Sequence, residues 1–301
     1  MNNTYKTYKI DIHHHFVPTG SDNSNLAAER SLRFMDSHAI KKAYLSLSSP
    51  AIITGNTRQS GESARMCNEN AAMLKRSFPD RFGAFATLPF PHIDASLKEL
   101  AYAMEHLKLD GVQLFSHYNG EIPDTDCYGP VLDELNARGS IVFIHPNEPY
   151  QETLQDNPAY LRRAEYSFEV SRFVTASLFN GLFETYPKIR YILAHGGGIV
   201  PFLSQRISRI HYLKGKRIRW GKVISDMLHK RNKGLEFLQN CYYECSEMMD
   251  DCFIPSLLEL TSSSHLLYGS NCNESNSDDA NMKSSQLPTE LFYLNAEELF
   301  Q

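Results

Sequence analysis

The chain has 301 residues, of which 42% are hydrophobic and 22% charged, so it has material for a large core and is not a disordered segment. A formal net charge of −5 argues against nucleic acid and anionic membrane surfaces as partners. The longest apolar runs fall short of the ~20 residues of a membrane span. The polar start Met1–Lys9 has no secretory apolar stretch, and six cysteines without a C-x-x-C pair suit neither a disulfide scaffold nor a zinc knuckle. The expectation is a cytoplasmic protein with reduced thiols.

In chain order, short apolar runs alternate with amphipathic stretches. Strands are predicted at Tyr8–His13, Ala43–Leu47, Phe82–Leu88, Gly111–Phe115, Ile141–His145, Ile189–His195, Cys241–Glu244 and Leu266–Gly269. Helices are predicted between them at Leu26–Ser37, Glu62–Phe78, Leu97–Leu107, Val131–Arg138, Phe168–Glu184, Leu203–Tyr212 and Leu257–Leu260. Such alternation predicts an α/β chain with a parallel sheet, and eight units closing on themselves give a single (β/α)8 TIM-like barrel. An open doubly wound sheet is the alternative, weakened because no G-x-G-x-x-G follows the first strand. Residues 1–301 read as one domain. Two segments interrupt the pattern: a basic insertion, Lys214–Lys233, and a polar stretch, Ser270–Gln286, where the eighth helix should begin.

The first strand ends Asp11-Ile12-His13-His14-His15. Side chains alternate along a strand, so His13 and His15 share a face and His14 points to the other side in a structural role. Two imidazoles at i and i+2 can grip one cation at the strand end that faces a barrel's active site. His145 closes the fifth strand in Phe143-Ile144-His145-Pro146, and His195 closes the sixth before three glycines. Four strand-end histidines would converge on one pocket, and neutral imidazole suits zinc and similar ions.

Taken in order, these motifs resemble the amidohydrolase-related superfamily, in the branch of aminocarboxymuconate-semialdehyde decarboxylase and related aromatic-acid decarboxylases. The resemblance rests on D-I-H-H-H at 11–15, G-V-Q-L at 111–114, F-I-H-P at 143–146, A-H-G-G-G at 194–198, Pro201 and Arg206, and runs from Asp11 to about Phe300. It implies that His13, His15 and His145 bind one divalent metal ion, zinc first and manganese as the alternative, and that His195 is the general acid/base. It implies that Arg206 binds a substrate carboxylate in a neighbouring subunit's site, and hence a homodimer. Gln113 stands where binuclear members carry a carboxylated lysine, so one metal is expected.

One departure matters. Family members read G-[ST]-D-x-P at the end of strand eight, and this chain reads Gly269-Ser270-Asn271-Cys272-Asn273. Asn271 keeps a carbonyl oxygen as a weak fourth ligand but loses the charge and basicity of aspartate. Glu244, Glu274 or Asp278 could substitute, or activity could be impaired. The function expected is metal-dependent, non-oxidative decarboxylation of a small aromatic or unsaturated carboxylic acid. The alternatives are metal-dependent hydrolysis of a lactone or amide, and a non-catalytic barrel. Decarboxylation tolerates the loss of the aspartate better, because it needs positioning and a proton donor rather than an activated water.

Overall fold

A computed structural model describes residues 8–16, 18, 24–49, 56–149, 159–209, 221, 224–225, 232–246, 252–272 and 289–301. Eight parallel strands follow one another around a single sheet: β1 (Lys9–His15), β2 (Ile40–Ser46), β3 (Phe82–Thr87), β4 (Gly111–Phe115), β5 (Ile141–His145), β6 (Arg190–Leu193), β7 (Tyr242–Glu244) and β8 (Leu266–Leu267). Ile12 N donates to Tyr268 O and His15 N to Cys272 O, both at 3.0 Å, so the chain beyond β8 joins β1 and brings the ring near closure. The α/β barrel expected from the alternation is the fold observed.

Helices alternate with the strands: α1 (Ser24–Ser37), α2 (Thr57–Ser77), α3 (Ile93–Glu105), α4 (Gly129–Arg138), α5 (Ala159–Asn180), α6 (Val200–Ile207), α7 (Lys233–Asn240), α8 (Phe253–Leu260) and α9 (Thr289–Leu299). Local chemistry marks their ends. The Asn56 side chain accepts from Gln59 N to open α2, and Gly139, at φ 61°, takes the left-handed turn that ends α4. Most of the basic 214–233 segment and the polar stretch beyond Cys272 lie outside the described residues. Among the described residues no helix is long and apolar enough to cross a membrane.

The apolar side chains form two layers. The larger packs the outer face of the sheet against the helices, with Leu45, Phe82, Val112, Leu114, Val142, Ile144 and Leu193 at its centre. The smaller fills the barrel interior with Ile10, Ile12, Phe85, Phe143, Ile192, Ala194 and Leu267. Ala296 and Leu299 of α9 complete this second cluster, and Phe300 stacks on Tyr44 with ring centroids 3.8 Å apart. The sequence pattern did not single out α9, yet it covers the N-terminal mouth of the barrel. That leaves the C-terminal mouth for chemistry, where the strand-end histidines lie.

Candidate active site at the C-terminal mouth

Four buried imidazoles meet at this mouth. The ring of His13 lies 4.7 Å from that of His15, 5.0 Å from that of His145 and 5.1 Å from that of His195, and His15 lies 4.9 Å from His145. His13 Nε2 and His15 Nε2 are 3.1 Å apart. One ring nitrogen from each of His13, His145 and His195 falls within 4.8 Å of the others. The convergence expected of strand-end histidines is therefore present.

Plain alternation does not produce it. Asp11 pairs with Ala43 but His14 with Leu45, so β1 advances three residues while β2 advances two. This bulge lets Ile12 stay in the apolar interior while the next residue, His13, also faces inward, against Phe143 at 5.1 Å. On β6, Ala194 already faces the interior, and alternation would turn His195 outward. His195 instead adopts a φ of 50°, and its ring swings in beside His13. A non-glycine residue in the left-handed region is strained, and such strain is held at functional sites by the surrounding structure. Gly198 supports the turn: at φ 65°, a side chain there would lie 2.0 Å from the Ser167 carbonyl oxygen.

Each histidine is oriented from behind. Asp11 is buried outside the pocket, where it accepts from His14 Nδ1 at 3.1 Å, Ser270 Oγ at 2.6 Å, Ser270 N at 2.9 Å and His13 N at 3.1 Å. Asp11 thus ties β1 to the chain after β8, and His14, bonded to Asp11 and to Ser31 Oγ at 3.0 Å, ties it to α1, which is the structural role expected of His14. His13 Nδ1 lies 2.7 Å from Glu244 Oε2. Burial alone would push the Glu244 carboxyl up, but the charge and hydrogen bond of His13, then His195 and Ser246, hold it at about 2. An ionised carboxylate only accepts, so His13 carries hydrogen on Nδ1 and presents Nε2 to the pocket.

Glu244 also accepts from His195 N at 3.1 Å and Ser246 N at 2.5 Å. With these donors around it, Glu244 orients His13 from behind and does not fill the place of a strand-eight aspartate. Gly269 makes room for it, since a Cβ there would fall 2.0 Å from Glu244 Oε1 and 2.7 Å from His13 Cβ. Ser246 was not singled out in the sequence. Its hydroxyl lies 3.2 Å from His195 Nδ1. The one signal was spacing, because Glu244 and Ser246 sit at i and i+2 and share a face.

His145 Nδ1 lies 2.7 Å from the Pro146 carbonyl, which accepts only, so Nδ1 donates. Its Nε2 is buried without a hydrogen-bond partner. A buried imidazole nitrogen with an unused lone pair, set among other imidazoles, fits a cation and is costly otherwise. Burial, followed by the neighbouring histidines, pushes His15 and His145 well below the ordinary histidine range, so both stay neutral and able to ligate.

The remaining expected residues are placed less centrally. Asn271 is half-buried at φ 50°, between Ser270, which is bonded to Asp11, and Cys272, which bridges to His14. It therefore stands at the strand-eight position opposite the end of β1. Arg206 lies on the exposed side of α6, and no ion pair links it to a described residue. Gln113 bridges the backbone of Leu47: its Oε1 accepts from Leu47 N at 2.8 Å and its Nε2 donates to Leu47 O at 2.7 Å. Glu274 and Asp278 fall outside the described residues.

Comparison with known proteins gives this geometry a family. The chain is 35% identical over 229 residues to the decarboxylase yanB of Aspergillus niger, covering 68% of this chain and 62% of that protein. It is 28% identical over 280 residues to the 6-methylsalicylic acid decarboxylase of Penicillium expansum, covering 87% and 84%. The crystal structure of a dihydroxybenzoic acid decarboxylase from Polaromonas, with bound manganese and the inhibitor 2-nitroresorcinol, superposes with a TM-score of 0.75 at 21% identity over 97% of this chain and 96% of that one. The two sequence relatives are decarboxylases by name and support a carboxy-lyase reading, and the Polaromonas structure shares the fold. The amidohydrolase family model matches residues 10–273, from the first strand through the end of the eighth, and the chain belongs to that family.

Proposed function

We propose that the protein is a metal-dependent, non-oxidative decarboxylase of a small aromatic acid carrying a hydroxyl beside the carboxylate, the class to which 6-methylsalicylic and dihydroxybenzoic acids belong. The observation that carries the reading is the buried, unbonded Nε2 of His145 within a cluster of four imidazoles. His13, His15 and His145 would hold one divalent cation, with the Asn271 carbonyl as a weak fourth donor. Zinc suits an imidazole set, and manganese, bound by the Polaromonas neighbour, is the alternative. The ion supplies Lewis acidity toward the substrate's oxygens.

The chain's own groups do the rest. The bond between the ring carbon and the carboxyl carbon breaks and leaves its electron pair on the ring, CO2 departs, and His195 delivers a proton to that carbon. No oxidant or reductant is required. Burial of the pocket histidines keeps the proton donor away from bulk water. Arg206, a bidentate carboxylate binder on an exposed helix face, would serve a neighbouring subunit, so the working form is read as a homodimer. The partner is then a small carboxylic acid, with no role for nucleic acid or membrane. The cytoplasm suits six cysteines that form no disulfide with one another.

Elemental analysis of the purified protein beside an Asn271→Asp variant tests the metal, and CO2 release from a panel of 2-hydroxybenzoic acids tests the reaction. Near-stoichiometric metal in the unmodified chain with CO2 evolution is the expected result. Ring opening of a lactone without CO2 release would replace the reading with hydrolysis. Metal bound only by the aspartate variant would favour a non-catalytic barrel.

A further inference from the structure

The role given to His195 leaves a question that the structure answers: what keeps its ring turned toward the pocket while its proton comes and goes? The ring sits on a residue with φ 50°, followed by glycines that are themselves in left-handed conformations, so the backbone alone is a poor guide for it. The hydroxyl of Ser246 is buried within reach of two ring nitrogens, His195 Nδ1 at 3.2 Å and His13 Nδ1 at 3.3 Å. The second of these is already engaged. His13 Nδ1 lies 2.7 Å from Glu244 Oε2, a closer partner than the Ser246 hydroxyl at 3.3 Å. The better-aimed use of the Ser246 hydroxyl is therefore at His195 Nδ1.

The geometry points to Ser246 as the positioning residue of His195, anchoring Nδ1 and leaving Nε2 as the end that meets substrate. This inference rests on the decarboxylase reading for its catalytic consequence. A hydroxyl suits the task because it both donates and accepts. When Nδ1 carries a lone pair, Ser246 Oγ donates to it. When Nδ1 carries hydrogen, Oγ rotates and accepts. The ring is thus held through every form that a proton shuttle visits. A carboxylate could serve only the protonated Nδ1, and a backbone N–H only the bare one.

Glu244 sets the hydroxyl in place. Its Oε1 accepts from Ser246 N at 2.5 Å, and the i, i+2 spacing turns both side chains to the pocket. The end of β7 and the turn after it thereby orient two histidines by two different means: a carboxylate behind His13, and a reversible dipole behind His195. Partners of this kind, one shell behind the reacting groups, typically matter by about 10- to 100-fold.

The test compares the zinc-loaded full chain with its Ser246→Ala and Ser246→Thr variants, all labelled with nitrogen-15 in histidine. The His195 resonances are assigned by their absence in His195→Gln. In the unmodified chain and the threonine variant, His195 Nδ1 should show the shift of a hydrogen-bonded nitrogen, and the alanine variant should lose it. Alanine should lower kcat about tenfold or more, leaving KM and zinc content unchanged, and threonine should restore kcat. An unbonded Nδ1 in the unmodified chain would overturn the inference, even if the alanine variant failed to fold. So would zinc loss in step with kcat, which would assign Ser246 to His13 instead. If the unmodified chain releases no CO2 from any acid, the decarboxylase reading falls, while the nitrogen resonance still decides whether Ser246 anchors the ring.

Discussion

The two ends of the barrel are built from the same eight strands and solve opposite problems. At the N-terminal end, Tyr44, Phe85, Phe143 and Phe300 interlock, with Phe85 stacked on Phe143 at 5.4 Å and Phe300 on Tyr44 at 3.8 Å. The packed interior there is apolar, and the helix α9 shuts it. At the other end the same strands terminate in imidazoles, each braced by a carboxylate, carbonyl or hydroxyl. The lower half is held by area removed from water, the upper half by pairwise hydrogen bonds. The boundary is sharp enough to run between neighbours: Ile12 belongs to the apolar layer and His13 to the polar one, and so do Ala194 and His195.

Substitutions at each end should separate cleanly if that division is real. The largest effect is expected from the upper half. His195→Gln should reduce decarboxylation by about 10²- to 10⁴-fold with metal content unchanged, whereas His145→Ala should abolish metal binding as well, both read by elemental analysis beside turnover. Neither should move the unfolding midpoint of the metal-free protein by much. Phe85→Ala should do the reverse, costing about 3–5 kcal/mol in denaturant unfolding while the folded fraction keeps its metal and KM. A Phe85 variant that folds well but loses metal would show that the two halves are not independent.

A smaller effect concerns acid. The Glu244 carboxyl lies at about 2 in the folded chain against an ordinary 4.5. Its stabilising contribution is therefore complete above pH 4.5 and is lost as pH falls from there toward 2. For the metal-free protein, this difference corresponds to about 3 kcal/mol across that window. Glu244→Gln should flatten the acid limb of the stability curve, and an unchanged limb would mean that Glu244 is not ionised in the folded state. The smallest effect is chemical. Cys127 and Cys252 are exposed and should react with an aromatic disulfide reagent in the folded protein. Cys67, Cys241 and Cys272 are buried, with burial pushing each thiol up to about 12, and should react only on unfolding.

Much of this was legible in the sequence, and the exceptions have a common cause. Strand-length apolar runs and two-residue spacing were enough to find the barrel, to pair His13 with His15 and to send His14 outward. What they could not carry was any departure from regular backbone. The bulge that turns His13 inward after Ile12 and the left-handed His195 after Ala194 are single-residue events with no periodic trace. Ser246 was overlooked because β7 is only three residues long, too short for alternation to stand out. Helix α9 was missed because it follows a polar stretch without apolar period. The site was thus readable as a list of ligating residue types, and unreadable as the set of groups that aim them.

Gln113 has a consequence for the ways this barrel could change over generations. Its amide grips both the N–H and the C=O of Leu47, a backbone group at the end of the neighbouring-but-one strand. Exchange to lysine, the first move toward a two-metal centre, would strip partners from two buried backbone atoms at about 1–3 kcal/mol each before any second ion could repay the loss. The path from this lineage to a binuclear enzyme therefore passes through a destabilised ancestor, unless the end of β2 is remodelled first.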